Sequence, residues 1–340
     1  MFPGSKTLVL LCWILLSAAS CNDPYQKEFE IQKTVHAPNG MVVSASAIAS
    51  ETGRQILRRG GNAIDAAVAV HFALAVVFPE AGNIGGGGFM VIRLHDGSSY
   101  TLDFRETAPG KSNETMYQDE DGNVIRNSNL FGHLASGVPG SVDGMVKAHE
   151  RFGKLDWKEL LEPAISLASM GFSLTERQAK ILNSNQVNFL LVNTRSPDFL
   201  LKSQWNAGDI LKQRDLAVTL ALIRDRKRSG FYQGITADNI INEMTRGKGL
   251  ISRVDLDNYS SVWREPVTGY YKNHKIISMG PPSAGGIALI QMLKMAEHFN
   301  TDSISWHDHR YIHLLCEIEK RSYADRAEYQ IGRASCRERV

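Results

Sequence analysis

The sequence predicts an α+β fold, and three observations carry that prediction. Residues 45–78 hold two helix-length segments separated by Gly60 and Gly61. Residues 89–105 read as two short strands joined by Asp96-Gly97, a strong hairpin signal. Residues 157–298 are mostly helical in pattern, broken by brief strand-like runs. Helices and strand pairs therefore fall in separate stretches rather than alternating strictly.

Each element has a local reason. Residues 40–43 read as a short strand. Ser44 or Ser46 can cap a helix that runs to Arg59 and stops at Gly60-Gly61. Asn62 caps a second helix over residues 63–78, and Pro79 blocks its continuation. That helix is apolar nearly all round, and its 16 residues suit a buried core helix rather than a membrane span. Strands follow at 89–95 and 99–105, then a polar, turn-rich segment at 113–129. Gly137-Val-Pro-Gly-Ser141 punctuates the chain before a helix near 142–151. Helices are expected at 157–170, ending at Gly171, and at 175–182 with Glu176 at the positive end. Further helices are expected at 213–226, 236–244 and 255–259. Strands at 270–271 and 275–279 precede a tight Pro281-to-Gly286 loop and a helix over 287–298. A last helix begins near Ser305 and reaches about Tyr329.

Composition narrows the function classes. A chain of 340 residues with 43% hydrophobic content can bury one large core or two modest ones. Lys plus Arg total 38 and Asp plus Glu total 36, and no basic stripe with interleaved aromatics is visible. Nothing here favours nucleic acid.

The N-terminus reads as a targeting segment. Lys6 precedes an apolar run over residues 8–16, and Ala18-Ala-Ser-Cys21 offers small residues at a cleavage point. Residues 1–20 are expected to be a signal peptide, 21–37 an exported tether, and 38–330 the folded region. Cys21 resembles a bacterial lipoprotein site, with Ala18 where a larger aliphatic residue is commoner, so lipid anchoring and plain cleavage both stay open. The product would be periplasmic or at the cell surface. Of the four cysteines, Cys12 leaves with the signal, Cys316 is expected in a buried helix, and Cys336 lies in a terminal break in composition. No disulfide framework or zinc spacing is visible. Residues 331–340 hold three arginines and no core pattern, and read as a foreign tail.

Arg105 is the candidate binding residue. It follows Asp103-Phe104 at a strand end, where a guanidinium could grip a carboxylate through a bidentate fork. The residues alone favour a plainer role, an ion pair with Glu106 or Asp103. The Gly85-to-Gly88 run lacks the lysine and hydroxyl of a nucleotide loop, and reads as close backbone packing between the apolar helix and the Phe89 strand. Ser283 has no histidine base nearby in sequence and no nucleophile-elbow pattern, so it reads as a loop former. His307 and His309 lie two apart with no third ligand evident, which suits a solvated helix entry rather than a metal site. Asp325 and Arg326 read as an intramolecular ion pair. Asn113 and Asn258 fit the glycosylation pattern, which would be idle behind a bacterial-type leader.

Many blocks in order resemble the large subunit of a γ-glutamyltranspeptidase (glutathione hydrolase). They include the helix pair from Ala45, Asn83-Ile-Gly-Gly-Gly-Gly-Phe-Met90, Asp103-Phe-Arg-Glu106, Gly137-Val-Pro-Gly-Ser141 and Trp157-Lys-Glu-Leu160. Glu162-Pro-Ala-Ile165, Val262-Trp-Arg-Glu-Pro266, the Pro281 loop and Tyr323-Ala-Asp-Arg326 continue the series, which covers residues 34–330. The resemblance implies an αββα sandwich of the N-terminal-nucleophile hydrolase type, here the large-subunit half without the small subunit. It implies a precursor that cuts itself before a threonine, whose hydroxyl attacks γ-glutamyl amides with the freed α-amine as base. An acyl-enzyme would then pass its γ-glutamyl group to water or to an amino acid or dipeptide acceptor. The oxyanion donors would come from the small subunit. Arg105 would hold the α-carboxylate of the γ-glutamyl group. Glutathione, related γ-glutamyl compounds and the protein's own small subunit are the implied partners, with no cofactor and no metal. No Thr-Thr-His-type junction follows Gln330, so the nucleophile is expected outside this chain. The polypeptide alone is then expected to be inactive and poorly stable. A related acylase or poly-γ-glutamate processing enzyme, and an exported protein that binds γ-glutamyl compounds without cleaving them, are the alternatives.

Overall fold

The computed structural model describes residues 34–305 and 307–329. The expected signal segment, Cys12, Cys21 and most of the tether lie outside the described residues, as do Cys336 and the expected tail. A short leading stretch, residues 34–41, is exposed and without regular structure. The body of the protein begins at Val42.

Two helices open the body, α1 (Ala47–Arg58) and α2 (Ala63–Val77), and they pack against each other. Ser46 occupies the N-cap position of α1, but its side chain makes no cap bond. Ser44 instead donates its hydroxyl to the Ser46 carbonyl at 2.8 Å. The strand expected at 40–43 does not form, because no neighbouring strand pairs with it among the described residues. Val42 contributes packing instead, against the hydrophobic core.

α2 begins on a complete capping box: the Asn62 side chain accepts from Ile64 and Asp65, and Asp65 accepts from the Asn62 N–H at 2.9 Å. Eleven of its 15 residues are buried, so the helix is enclosed on most sides. A fully buried Asp65 carboxylate needs several donors. It finds them in the Lys154 N–H at 2.9 Å and the Leu155 N–H at 3.3 Å.

The expected hairpin forms from β1 (Phe89–Arg93) and β2 (Ser99–Asp103), in register from Phe89↔Asp103 to Arg93↔Ser99. Helices α3 (Ser141–Phe152) and α4 (Trp157–Met170) follow, and α4 packs on α2. Phe72 and the Trp157 ring meet edge to face at 5.8 Å. A short pair, β3 (Phe172–Ser173) with β4 (Ile210–Leu211), brackets α5 (Glu176–Val192). The sequence stops α5 ten residues early, at Leu182; it continues because its polar middle is tied to the following loop. Asn183 exchanges two hydrogen bonds with the Trp205 backbone, and Gln186 donates to the Lys202 carbonyl at 2.6 Å.

α6 (Arg214–Arg226) packs on α4, and α7 (Ser229–Tyr232), α8 (Gly234–Arg246) and α9 (Arg253–Asn258) follow. β5 (Val262–Arg264) returns to pair antiparallel with β2, giving a three-stranded sheet in the order β1-β2-β5. A separate hairpin, β6 (Val267–Tyr271) and β7 (His274–Ser278), packs under α10 (Gly285–Ala296). α11 (His309–Tyr329) lies against α10 and starts four residues later than expected. Cys316 is exposed on α11, contrary to the buried position expected of it, because α11 buries only Ile318 and Ser322. No helix among the described residues is long and apolar enough to cross a membrane.

Candidate functional site

Arg105 lies two residues beyond β2, where the chain leaves the sheet. Its side chain is exposed, and among the described residues it makes no hydrogen bond or ion pair. The expected pairing with Asp103 or Glu106 is not formed. Asp103 is buried, and its Oδ2 accepts from Arg264 Nε at 2.9 Å. The physical reason is register: β5 pairs with β2 through Thr101↔Arg264 and Asp103↔Val262, which brings the Arg264 guanidinium to the Asp103 carboxylate. The sheet thus neutralises its own carboxylate and leaves the Arg105 guanidinium available.

The main chain at Arg105 is held on three sides. Asp103 Oδ1 accepts the Arg105 N–H at 3.1 Å. The Tyr259 hydroxyl donates to the Arg105 carbonyl at 2.8 Å. Gly87 lies flat against the same peptide, where a Cβ would sit 2.5 Å from the Phe104 oxygen and 2.7 Å from the Glu106 nitrogen. The glycine run therefore serves close backbone packing, with the 104–106 segment as its partner. Gly88 and Phe104 exchange two main-chain bonds at 3.0 and 3.2 Å. Gly86 accepts from Gly140 and Ser141 at 2.8 and 2.9 Å, joining the run to the head of α3.

Behind Arg105 stands a buried polar cluster. Tyr259 is 5% exposed and stacks parallel on Tyr232, with ring centroids 5.8 Å apart. Tyr232 donates to the Pro139 carbonyl at 2.8 Å. Burial, and secondarily the nearby Asp143 carboxylate, push the Tyr232 phenol well above its ordinary value, so it stays a donor. Arg228 lies over the Tyr232 ring at 4.6 Å and donates to the Tyr259 carbonyl at 2.6 Å. The same guanidinium reaches Asp143 Oδ1 at 2.9 Å, while Asp143 Oδ2 accepts from the Ser261 N–H at 2.7 Å. Asp143 is 2% exposed, and these donors are what allow a carboxylate to be buried there. Gly140 completes the arrangement: a Cβ at that position would lie 2.0 Å from the Tyr259 hydroxyl and 2.1 Å from the Phe104 oxygen.

His71 of α2 sits edge-on to the Phe104 ring at 6.5 Å. Its Nε2 is shielded from solvent with no hydrogen-bond partner. Burial lowers its pKa to about 4, so the imidazole is neutral at neutral pH.

The other residues singled out in the sequence do not join this cluster. Ser283 accepts from the Gly285 N–H at 3.3 Å, a loop contact before α10. Asp308 binds Arg310 at 2.7 Å, and no group of three metal-ligating side chains comes together among the described residues. Among the described residues Asp325 and Arg326 form no ion pair with each other; Asp325 accepts from Gln291, and Arg326 lies over the Tyr323 ring at 5.7 Å. Sequence reasoning gave Tyr259 no role at the site, placing it only at the end of the helix expected over 255–259 and in the middle of a glycosylation pattern. Its contact with Arg105 spans 154 positions, and no local signal announces it.

The family model described as gamma-glutamyltranspeptidase matches residues 49–335. The chain is 45% identical over 292 residues to the glutathione hydrolase proenzyme of Pseudomonas aeruginosa, covering 85% of this chain and 52% of that protein. It is 42% identical over 318 residues to the glutathione hydrolase proenzyme of Pseudomonas sp. (strain A14), covering 93% of this chain and 55% of that protein. Its structure resembles the crystal structure of Helicobacter pylori gamma-glutamyltranspeptidase with a TM-score of 0.84 at 42% identity, covering 87% of this chain and 85% of that one. The chain spans about half the length of the curated relatives it matches. The fold is accordingly the N-terminal-nucleophile hydrolase type. From this agreement of sequence blocks and backbone, the chain belongs to the γ-glutamyltranspeptidase family.

Proposed function

We propose that this chain is the large-subunit portion of an exported γ-glutamyltransferase and glutathione hydrolase, and that Arg105 holds the α-carboxylate of the γ-glutamyl donor. The observation that carries the reading is an exposed guanidinium with no partner among the described residues, on a backbone fixed at both its N–H and its carbonyl. Glutathione hydrolase proenzymes among the relatives support the same reaction class.

In this reading the chain binds and orients, and a downstream half supplies the reacting threonine. The threonine hydroxyl loses its proton to the terminal amine and attacks the γ-carbonyl carbon. The amide C–N bond breaks, and the leaving amine takes that proton. Water or an amino acceptor then adds to the acyl carbon, the bond from that carbon to the threonine oxygen breaks, and the acceptor's proton passes through the terminal amine to that oxygen. A bidentate grip on the α-carboxylate fixes where the γ-carbonyl falls, which lysine could not reproduce. The polypeptide by itself would release no glutamate. Residues 1–20 would be removed on export, and mass spectrometry of the mature N-terminus distinguishes lipid attachment at Cys21 from plain cleavage.

The test uses the proenzyme that contains this chain. Arg105→Gln is expected to raise KM for a γ-glutamyl anilide about 100-fold, the scale of a lost charged hydrogen-bonded pair. Arg105→Lys should recover only a small part. The 4-aminobutyryl anilide, which lacks the α-carboxylate, should react equally with wild type and variant. An unchanged KM for the γ-glutamyl donor would overturn the assignment. A wild-type preference for the 4-aminobutyryl anilide would favour an acylase instead.

A further inference from the structure

The main chain at Arg105 is held in part by a residue distant in sequence. A flexible arginine on a mobile peptide would lose much of its value on ordering, because the side chain carries about 2 kcal/mol of rotamer entropy. Fixing the main chain leaves that side-chain cost but removes the backbone share of ordering before any ligand arrives. The Arg105 N–H is fixed locally by Asp103, within the same turn. The carbonyl has no such local partner and is fixed by Tyr259, which is itself immobilised by the Tyr232 stack and the Arg228 bond.

We propose that Tyr259 is a positioning residue for Arg105. Its hydroxyl, by donating to the Arg105 carbonyl, sets the direction in which the guanidinium meets the donor carboxylate. This rests on the Arg105 reading above. The missing Cβ of Gly140 fits the same role, because any side chain there would displace the Tyr259 hydroxyl from that carbonyl. Tyr259 does not touch the donor in this scheme; it acts only through Arg105.

The experiment is a double-mutant cycle in the proenzyme, read as KM and kcat separately. Tyr259→Phe is expected to raise KM for the γ-glutamyl anilide about fivefold, the scale of one neutral hydrogen bond, with kcat retained. In an Arg105→Gln background the same change should have no further effect. KM for the 4-aminobutyryl anilide should not move. Thr236→Val, which removes another buried hydroxyl bond, to the Gly230 carbonyl, is the structural control and should leave KM unchanged. Should Tyr259→Phe fail to fold, p-aminophenylalanine and p-fluorophenylalanine at 259 replace the pair, since only the former donates a hydrogen bond. Wild-type KM is then expected with the amine and a raised KM with the fluorine. Additive effects of the two substitutions, or equal KM for the amine and the fluorine, would overturn the proposal while leaving Arg105 intact. An Arg105→Gln variant with unchanged KM would remove both.

Discussion

α2 buries 11 of its 15 residues, whereas α11 runs 21 residues and buries two. The first helix is apolar apart from Asp65 and His71 and is packed by α1 and α4. The second leans on α10 and leaves Ile312, Leu315 and Tyr323 exposed. The difference shows where this chain completes its own core. The continuous hydrophobic cluster runs from Ala49 to Tyr259 and includes nothing from α10 or α11. Phe104 and Tyr259, on either side of Arg105, belong to that cluster, so Arg105 stands on the packed part of the chain.

The comparison can be broken at several points. Phe72→Ala, at a fully buried position, should lower the unfolding free energy by about 3–5 kcal/mol in denaturant titration. A cost under about 1 kcal/mol would show that α2 is not the centre of the core. His71 gives the next effect. Its pKa falls from 6.5 to about 4 on folding, so between those values the unfolded chain binds more protons. Stability contributed by the neutral imidazole should therefore be full above about pH 6.5 and lost as pH falls toward 4. His71→Phe should abolish that slope in thermal melts taken across the window.

Glu243 gives a smaller effect with the other kind of group. Burial opposes its charge, but hydrogen bonds from Thr194, His133 and Arg246 prevail and lower its pKa from 4.5 to about 2. Its carboxylate should stabilise the fold above about pH 4.5, and that contribution should fade as pH drops toward 2. The melting-temperature gap between wild type and Glu243→Gln should close over the same interval; a constant gap would argue against an ionised carboxylate. The smallest change is expected on α11, where Ile312→Ser should shift stability by less than about 0.5 kcal/mol. A loss comparable to Phe72→Ala would mean that α11 is not the exposed element described above.

Local chemistry made much of the fold legible. Asn62 and Pro79 bound α2, Asp96-Gly97 marks the hairpin, and Gly171 ends α4, all within a residue or two of the structure. What escaped was tertiary. α5 runs to Val192 because Asn183 and Gln186, which look like loop residues, bond to a later segment. Cys316 is exposed because α11 lacks the neighbours that its apolar residues suggest. Arg105 itself was legible as a strand-end cation. Its freedom was not, because Asp103 is taken by Arg264, 161 positions away.

Asp65 has one further consequence. The same carboxylate that closes the first turn of α2 also receives the Lys154 and Leu155 N–H groups, 89 and 90 positions downstream. Within the fold that carboxylate is the acceptor of both donors. The connector between α3 and α4 thus hangs on the opening turn of α2, so removing this one carboxylate would strip acceptors from two segments far apart in the chain.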